Sequence, residues 1–187
     1  MESRTAYLNQ AVLACFFAAL ISIGAYISIP LPGTPVPLVL QNMFIMLAAL
    51  TLGPWWGLLS VALYLFFGLV GMPVFSGGTG GIARFLGPTG GYLAGYVPAT
   101  LVMGLLAKKP LRHPLAALAP CVVGMAIVYV VGVTRLKVIL DISWNRALAS
   151  GLYPFLLGDG VKIILTAFLA PRLAAGIDSL ETRSSDG

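Results

Sequence analysis

Apolar residues in this chain run in long blocks, at about residues 7–29, 36–52, 56–71, 92–106, 114–133 and 151–170, each bounded by glycine, proline or charge. Blocks of this length predict helices, because a buried strand needs only about 4–8 residues. Crossing a hydrocarbon core of roughly 30 Å takes ~20 helical residues, so the six blocks predict six membrane-crossing helices. The fold expected is an all-α polytopic bundle forming a single membrane domain over 1–187.

Composition points the same way. Mean hydropathy is +0.97, with 59% apolar and only 9% charged residues, whereas soluble domains carry roughly 25% charge. The net charge of +5 then reads as Lys and Arg flanking cytoplasmic helix ends, and nucleic acid is not an expected partner. Cys15 and Cys121 lie inside apolar blocks without metal or redox spacing and read as small hydrophobes. The first block is too long for a signal-peptide core and lacks a small-residue cleavage site, so it is expected to be retained.

The basic linker Lys108-Lys109-Pro110-Leu111-Arg112-His113 marks a cytoplasmic connection. Counting spans from it places both termini, with Arg4, Arg172 and Arg183, on the same side. Three connections then face outward, at 30–37, 72–91 and roughly 134–150. Arg84, Arg135, Lys137 and Arg146 fall on that outer side, either as ordinary loop charges or as a cationic lining for an incoming anion.

Asp159 and Lys162 are the sharpest polar signal, three residues apart in an apolar block and therefore on one helix face. Ionisable groups at membrane depth are costly unless paired or facing a cavity. Two readings follow: an ion pair that holds the last helix in place, or the polar wall of a binding site, with Gly158 and Gly160 allowing close approach beside the acid. Gln41 and Asn42 pose the same choice between bridging helices and offering amides to a ligand.

The segment from Phe75 to Tyr92 is rich in glycine, yet no Gly-Lys-Ser/Thr follows, so it is not a nucleotide-phosphate loop. A compact loop folding back over a pocket fits better, because irregular backbone at membrane depth survives only when buried or facing a cavity. Arg84 would then contact an acidic ligand or merely cap the loop. Tyr92 and Tyr96, one helical turn apart, would pack on a ligand or join the interfacial aromatic belt. On the first helix, Ala14 and Ala18 form a small-xxx-small face, for packing within the bundle or for docking another membrane subunit. There is no HExxH and no Ser/His/Asp set, His113 being the only histidine. A membrane enzyme therefore lacks its nucleophile and base.

Several motifs together resemble a known family. Ile29-Pro30-Leu31-Pro32, Thr34-Pro35-Val36-Pro37 with Gln41, Leu52-Gly53-Pro54 with Gly57, Gly71-Met72-Pro73-Val74-Phe75-Ser76-Gly77-Gly78, Leu86-Gly87-Pro88-Thr89-Gly90-Gly91-Tyr92-Leu93, and Tyr153-Pro154-Phe155 leading to Gly158-Asp159-Gly160-Val161-Lys162 are similar to the BioY family. These are the biotin-specific S components of energy-coupling factor (ECF) transporters, and the likeness covers nearly the whole chain in order.

The resemblance implies a multi-pass cell-membrane subunit that binds biotin from outside. Its expected partners are a transmembrane coupling subunit and two ATPase subunits that supply the energy, and no cofactor is expected. It carries biotin contacts onto Asp159, Lys162 and, in the loop, Arg84. Gln41, Asn42, Gly78, Tyr92 and Tyr96 complete the expected substrate-binding set, and Ala14 and Ala18 the expected partner contact. Biotin's carboxylate suits Lys162 and its ureido N–H groups suit Asp159, unless Asp159 only orients Lys162. The alternatives are an S component for another water-soluble vitamin and a structural or assembly subunit with no transport role.

Overall fold

The computed structural model describes residues 2–107, 111 and 113–185. Lys108, Lys109 and Arg112, and the side chains of Arg4 and Arg183, on which the inside–outside assignment draws, lie outside what it describes. Among the described residues, six principal helices form the bundle: α1 (Glu2–Tyr26), α2 (Gln41–Leu52), α3 (Pro54–Leu69), α5 (Gly90–Leu106), α6 (Pro114–Leu140) and α8 (Tyr153–Ser185). Two short helices, α4 (Ile82–Leu86) and α7 (Trp144–Gly151), lie in the connections, as does an antiparallel pair, β1 (Ser28–Ile29) with β2 (Leu38–Val39).

The helix boundaries differ from the hydropathy blocks for local reasons. The first block stops at Tyr26 and the second begins at Gln41 because the chain between them folds into a hairpin, Ser28 opposite Val39 and Ile29 opposite Leu38. Pro35 and Pro37 have no N–H to give a helix there. The fifth block continues past Val133 to Leu140, carrying Arg135 and Lys137 on α6 instead of in a loop, and ends where Asp141 turns left-handed at φ +48°. Between α2 and α3 the break is a single residue, Gly53, at φ +84° ahead of Pro54 in the first turn of α3.

Apolar stretches long enough to cross a membrane occur in three helices, Tyr7–Tyr26, Pro114–Leu140 and Tyr153–Ile177, with α2, α3 and α5 apolar but shorter. The exterior is greasy as well: Val12, Phe16, Val130, Val138, Leu157 and Ile164 are all exposed, as a lipid-facing surface requires. The fold is a helical membrane bundle.

The central helix is α2. Its 12 residues span only about 18 Å at ~1.5 Å per residue, and from Ile45 to Leu52 every residue is buried. A helix apolar on all sides belongs inside. Because α2 is so short, its first turn opens beneath the hairpin, at depth, which places Gln41 and Asn42 in the bundle interior. Close helix contact elsewhere depends on missing side chains: a Cβ on Gly132 of α6 would come within 2.4 Å of the Tyr92 ring on α5, so glycine there is what lets that ring pack against α6.

The 72–91 connection is compact. Phe75 is buried at 1% exposure and packs edge-on against Tyr64, ring centres 5.5 Å apart. The turn that drives it inward closes with the Phe75 N–H donating to the Thr79 carbonyl at 2.8 Å. Gly77 at φ +73° and Gly78 at φ +68° supply two successive left-handed residues that other side chains disfavour. All three connections expected to face outward meet at one end of the bundle. Thr34 donates its hydroxyl to the Ser150 carbonyl at 2.6 Å, and Arg135 donates to the Leu86 carbonyl at 2.9 Å.

Candidate functional site

Beneath these connections lies a cavity of about 50 Å³, walled by the hairpin, the Phe75 loop and helices α2, α5, α6 and α8. Most of its lining is apolar: Val36, Leu38, Phe75, Met125, Val128 and Phe155. Seven of the eight substrate-binding positions expected from the sequence line it, namely Gln41, Asn42, Arg84, Tyr92, Tyr96, Asp159 and Lys162. Gly78 does not, and faces the Tyr26 ring instead.

Five of the polar groups, Asp159, Lys162, Asn42, Tyr129 and Tyr96, form one connected network. Asp159 and Lys162, 3% and 7% exposed, make an ion pair with Nζ 2.7 Å from Oδ1. The Asn42 amide also donates to that oxygen, at 3.4 Å, and the Tyr129 hydroxyl donates to Oδ2 through a short hydrogen bond. Tyr96 in turn donates to the Asn42 carbonyl oxygen at 2.8 Å. The acid thus joins α2, α6 and α8, with α5 behind Asn42, so the pair does brace helices while also bordering the cavity.

Counting donors against acceptors shows what the cavity offers. A carboxylate has about four lone-pair positions, and three of those on Asp159 are engaged. Lys162 has three N–H donors and one hydrogen bond. The Gln41 amide nitrogen is buried beside Tyr64 without a well-formed hydrogen bond. Arg84 donates to the Ser76 hydroxyl at 3.0 Å and has no acidic partner among the described residues. It both pins the loop and lines the cavity. The site has donors and positive charge to spare and suits a ligand rich in acceptors, with an apolar body for the remaining walls.

Tyr92 and Tyr96 are buried and are not part of an interfacial belt. The Tyr92 hydroxyl is anchored on the Gly151 carbonyl at 2.7 Å, leaving its ring to the cavity. Gly158 admits Leu38 of the hairpin, which a Cβ would approach to 3.1 Å, while a Cβ on Gly160 would point into open space. The other three outer cations do not line the cavity. Arg135 donates to the Leu86 carbonyl, Lys137 lies 5.5 Å over the Trp144 ring, and Arg146 is exposed.

The sequence leaves two readings for Ala14 and Ala18, packing within the bundle or docking another subunit; the docking reading is corrected, because they are 0% and 4% exposed within this chain's own core. Their small size lets neighbouring helices approach, so they have no surface to offer a partner. Among the described residues, the small ones that α1 turns outward include Cys15 and Ala19, with Ala11 half-buried one turn before.

Sequence reasoning missed Tyr129, Met125, Val128, Phe75 and Phe155 as cavity residues. Tyr129 had a signal: it is the single hydroxyl in the apolar stretch 118–133. The others are hydrophobes among hydrophobes, and nothing local distinguishes them. Among the described residues, no cluster of His, Cys, Asp or Glu is arranged to hold a metal.

Comparison with known proteins places the chain as a whole. A family model described as the BioY family matches residues 1–179. A biotin transporter BioY from Thermotoga maritima is 42% identical over 167 residues, covering 89% of this chain and 96% of that protein. A probable biotin transporter BioY from Pyrococcus horikoshii is 40% identical over 165 residues, covering 88% and 96%. The crystal structure of the S-component for biotin from an ECF-type ABC transporter superposes with a TM-score of 0.81 at 34% identity, covering 89% of this chain and 91% of that one.

Proposed function

Since this chain belongs to the BioY family, we propose that it is a biotin-binding S component, a membrane subunit that captures biotin from the extracellular side for uptake by an ECF transporter. The observation that carries the reading is the cavity itself: a small cluster of donors and cations in an otherwise apolar pocket beneath the loop end of the bundle. Small-molecule sites are commonly built this way.

Biotin has one carboxylate, a ureido group with two N–H donors and a carbonyl acceptor, and an apolar chain and ring. Lys162 is tied to Asp159 at 2.7 Å, whereas Arg84 has only the neutral Ser76 hydroxyl. We therefore assign the carboxylate to Arg84. The ureido carbonyl then accepts from Lys162 or Gln41, and a ureido N–H meets the remaining lone pair of Asp159. Tyr92, Tyr96, Phe75 and Phe155 pack on the apolar parts.

In this reading the chain crosses the cell membrane six times with both termini in the cytoplasm, is not itself an enzyme and has no cofactor. Energy comes from two ATPase subunits through a transmembrane coupling subunit. Its contact on α1 is the outward stripe of Ala11, Cys15 and Ala19, because Ala14 and Ala18 are buried.

The test is a binding panel. Purified protein is expected to be stabilised against heat by biotin and not by thiamine, riboflavin or nicotinate. Stabilisation by a different vitamin would assign the same fold another ligand, and stabilisation by none would leave a structural subunit.

A further inference from the structure

A second space lies outside the cavity, between the two loops that cover it. It measures about 350 Å³, against about 50 Å³ for the cavity. Pro30, Leu31, Thr34 and Pro35 form one side and Ser76 and Gly77 the other. Three residues, Pro37, Ser76 and Arg84, line both spaces and so form the partition between them. Ligand sites usually measure roughly 300–1,000 Å³. The inner cavity falls far short of that range, so in this conformation a vitamin-sized molecule coming from the open vestibule must rearrange side chains to pass the partition.

The chemistry of the vestibule is one-sided. Proline nitrogens carry no proton, so the walls at Pro30, Pro35 and Pro37 give an anion no backbone donor. The Thr34 hydroxyl donates to Ser150 and accepts from the Val36 N–H. Arg84 is the cation in the lining, and its bond to Ser76 holds the guanidinium on the partition itself. Largely apolar walls, with the neutral hydroxyls of Ser28, Thr34 and Ser76 among them, around a single charge-assisted donor suit a small molecule with an apolar body and one carboxylate.

Resting on the assignment of the carboxylate to Arg84, we propose that this vestibule is an encounter site. The anionic ligand first pairs with Arg84 in the outer space, and Arg84 retains the carboxylate while the ring system passes Pro37 and Ser76 into the cavity. Binding is then a two-step process, and Arg84 governs the rate of capture as well as its strength.

Association kinetics of the purified full chain with biotin and with biotin carboxamide, followed by stopped-flow fluorescence over a range of ionic strength, test this. The observed rate for biotin is expected to level off at high concentration, and biotin is expected to associate about tenfold faster than the carboxamide, the low end of electrostatic steering. In Arg84→Gln the ratio of the two rates should fall close to one, and in Arg84→Lys, which keeps the charge, most of the ratio should return. A linear dependence of rate on concentration would overturn the proposal. So would an Arg84→Gln chain that loses affinity through faster dissociation alone, since Arg84 would then be only an inner contact. Failure of the wild-type chain to bind biotin would instead reject the functional assignment and is read separately, by equilibrium binding.

Discussion

Replacing Lys162 by methionine leaves the Asp159 carboxylate 3% exposed without its counter-ion. Breaking a buried ion pair by deleting one partner costs about 3–5 kcal/mol. Tyr129 and Asn42 still donate to the acid, so about 3 kcal/mol, the lower end, is the figure for this site. For a chain of this size each kcal/mol moves the melting temperature by roughly 2–4 °C, giving a fall of about 6–12 °C. The double variant Asp159→Asn with Lys162→Met removes both charges, and replacing a buried pair with neutral groups is often close to neutral. Its melting temperature should recover to within about 4 °C of wild type.

Binding behaves differently. Both variants lose the ammonium donor and should bind biotin at least tenfold more weakly, about 1.4 kcal/mol. Differential scanning fluorimetry and titration calorimetry on the two variants separate the effects. A double variant melting as low as the single one would show that an uncompensated charge is not the cause. Wild-type affinity in the double variant would reduce the pair to a brace between helices.

Tyr129→Phe removes the donor on Asp159 Oδ2 while keeping the ring in the cavity wall, and should cost about 1–3 kcal/mol of stability and weaken biotin binding severalfold by calorimetry. Thr34→Val frees the hairpin loop from the Ser150 carbonyl. Losing about 1 kcal/mol should speed biotin dissociation about fivefold in a chase experiment, with Thr34→Ser close to wild type. Ala18→Leu overpacks the core and should lower stability by about 1–3 kcal/mol, whereas Ala19→Leu, exposed on the same helix, should melt within about 0.5 kcal/mol of wild type. The Ala19 variant should instead reduce co-purification with the coupling subunit; intact co-purification would remove that stripe from the interface.

Much of the molecule could be read from order along the chain, because the signals are local. Block hydropathy reports burial in lipid or protein residue by residue, so six apolar helices were legible. An acid and a base three apart must share a helix face, which made Asp159 and Lys162 legible as a pair. The prolines and glycines of 30–37 and 72–91 announced irregular backbone, and both segments do cover the cavity. Boundaries were less legible wherever a polar residue sat on a continuing helix, as Arg135 and Lys137 do on α6.

What tertiary structure alone decided is which face of each helix looks inward. In a soluble protein the polar face of a helix marks its outside, but a helix between lipid and a greasy core is apolar on both sides, so periodicity does not choose. That is why Ala14 and Ala18 could be placed on a docking face when they are buried, and why Met125, Val128 and Phe155 gave no sign of lining a cavity. The same limit applies to partnership across the bundle. The union of Tyr129, Asn42 and Lys162 around one carboxylate joins residues up to 120 positions apart in sequence, and only packed helices bring them within hydrogen-bonding reach.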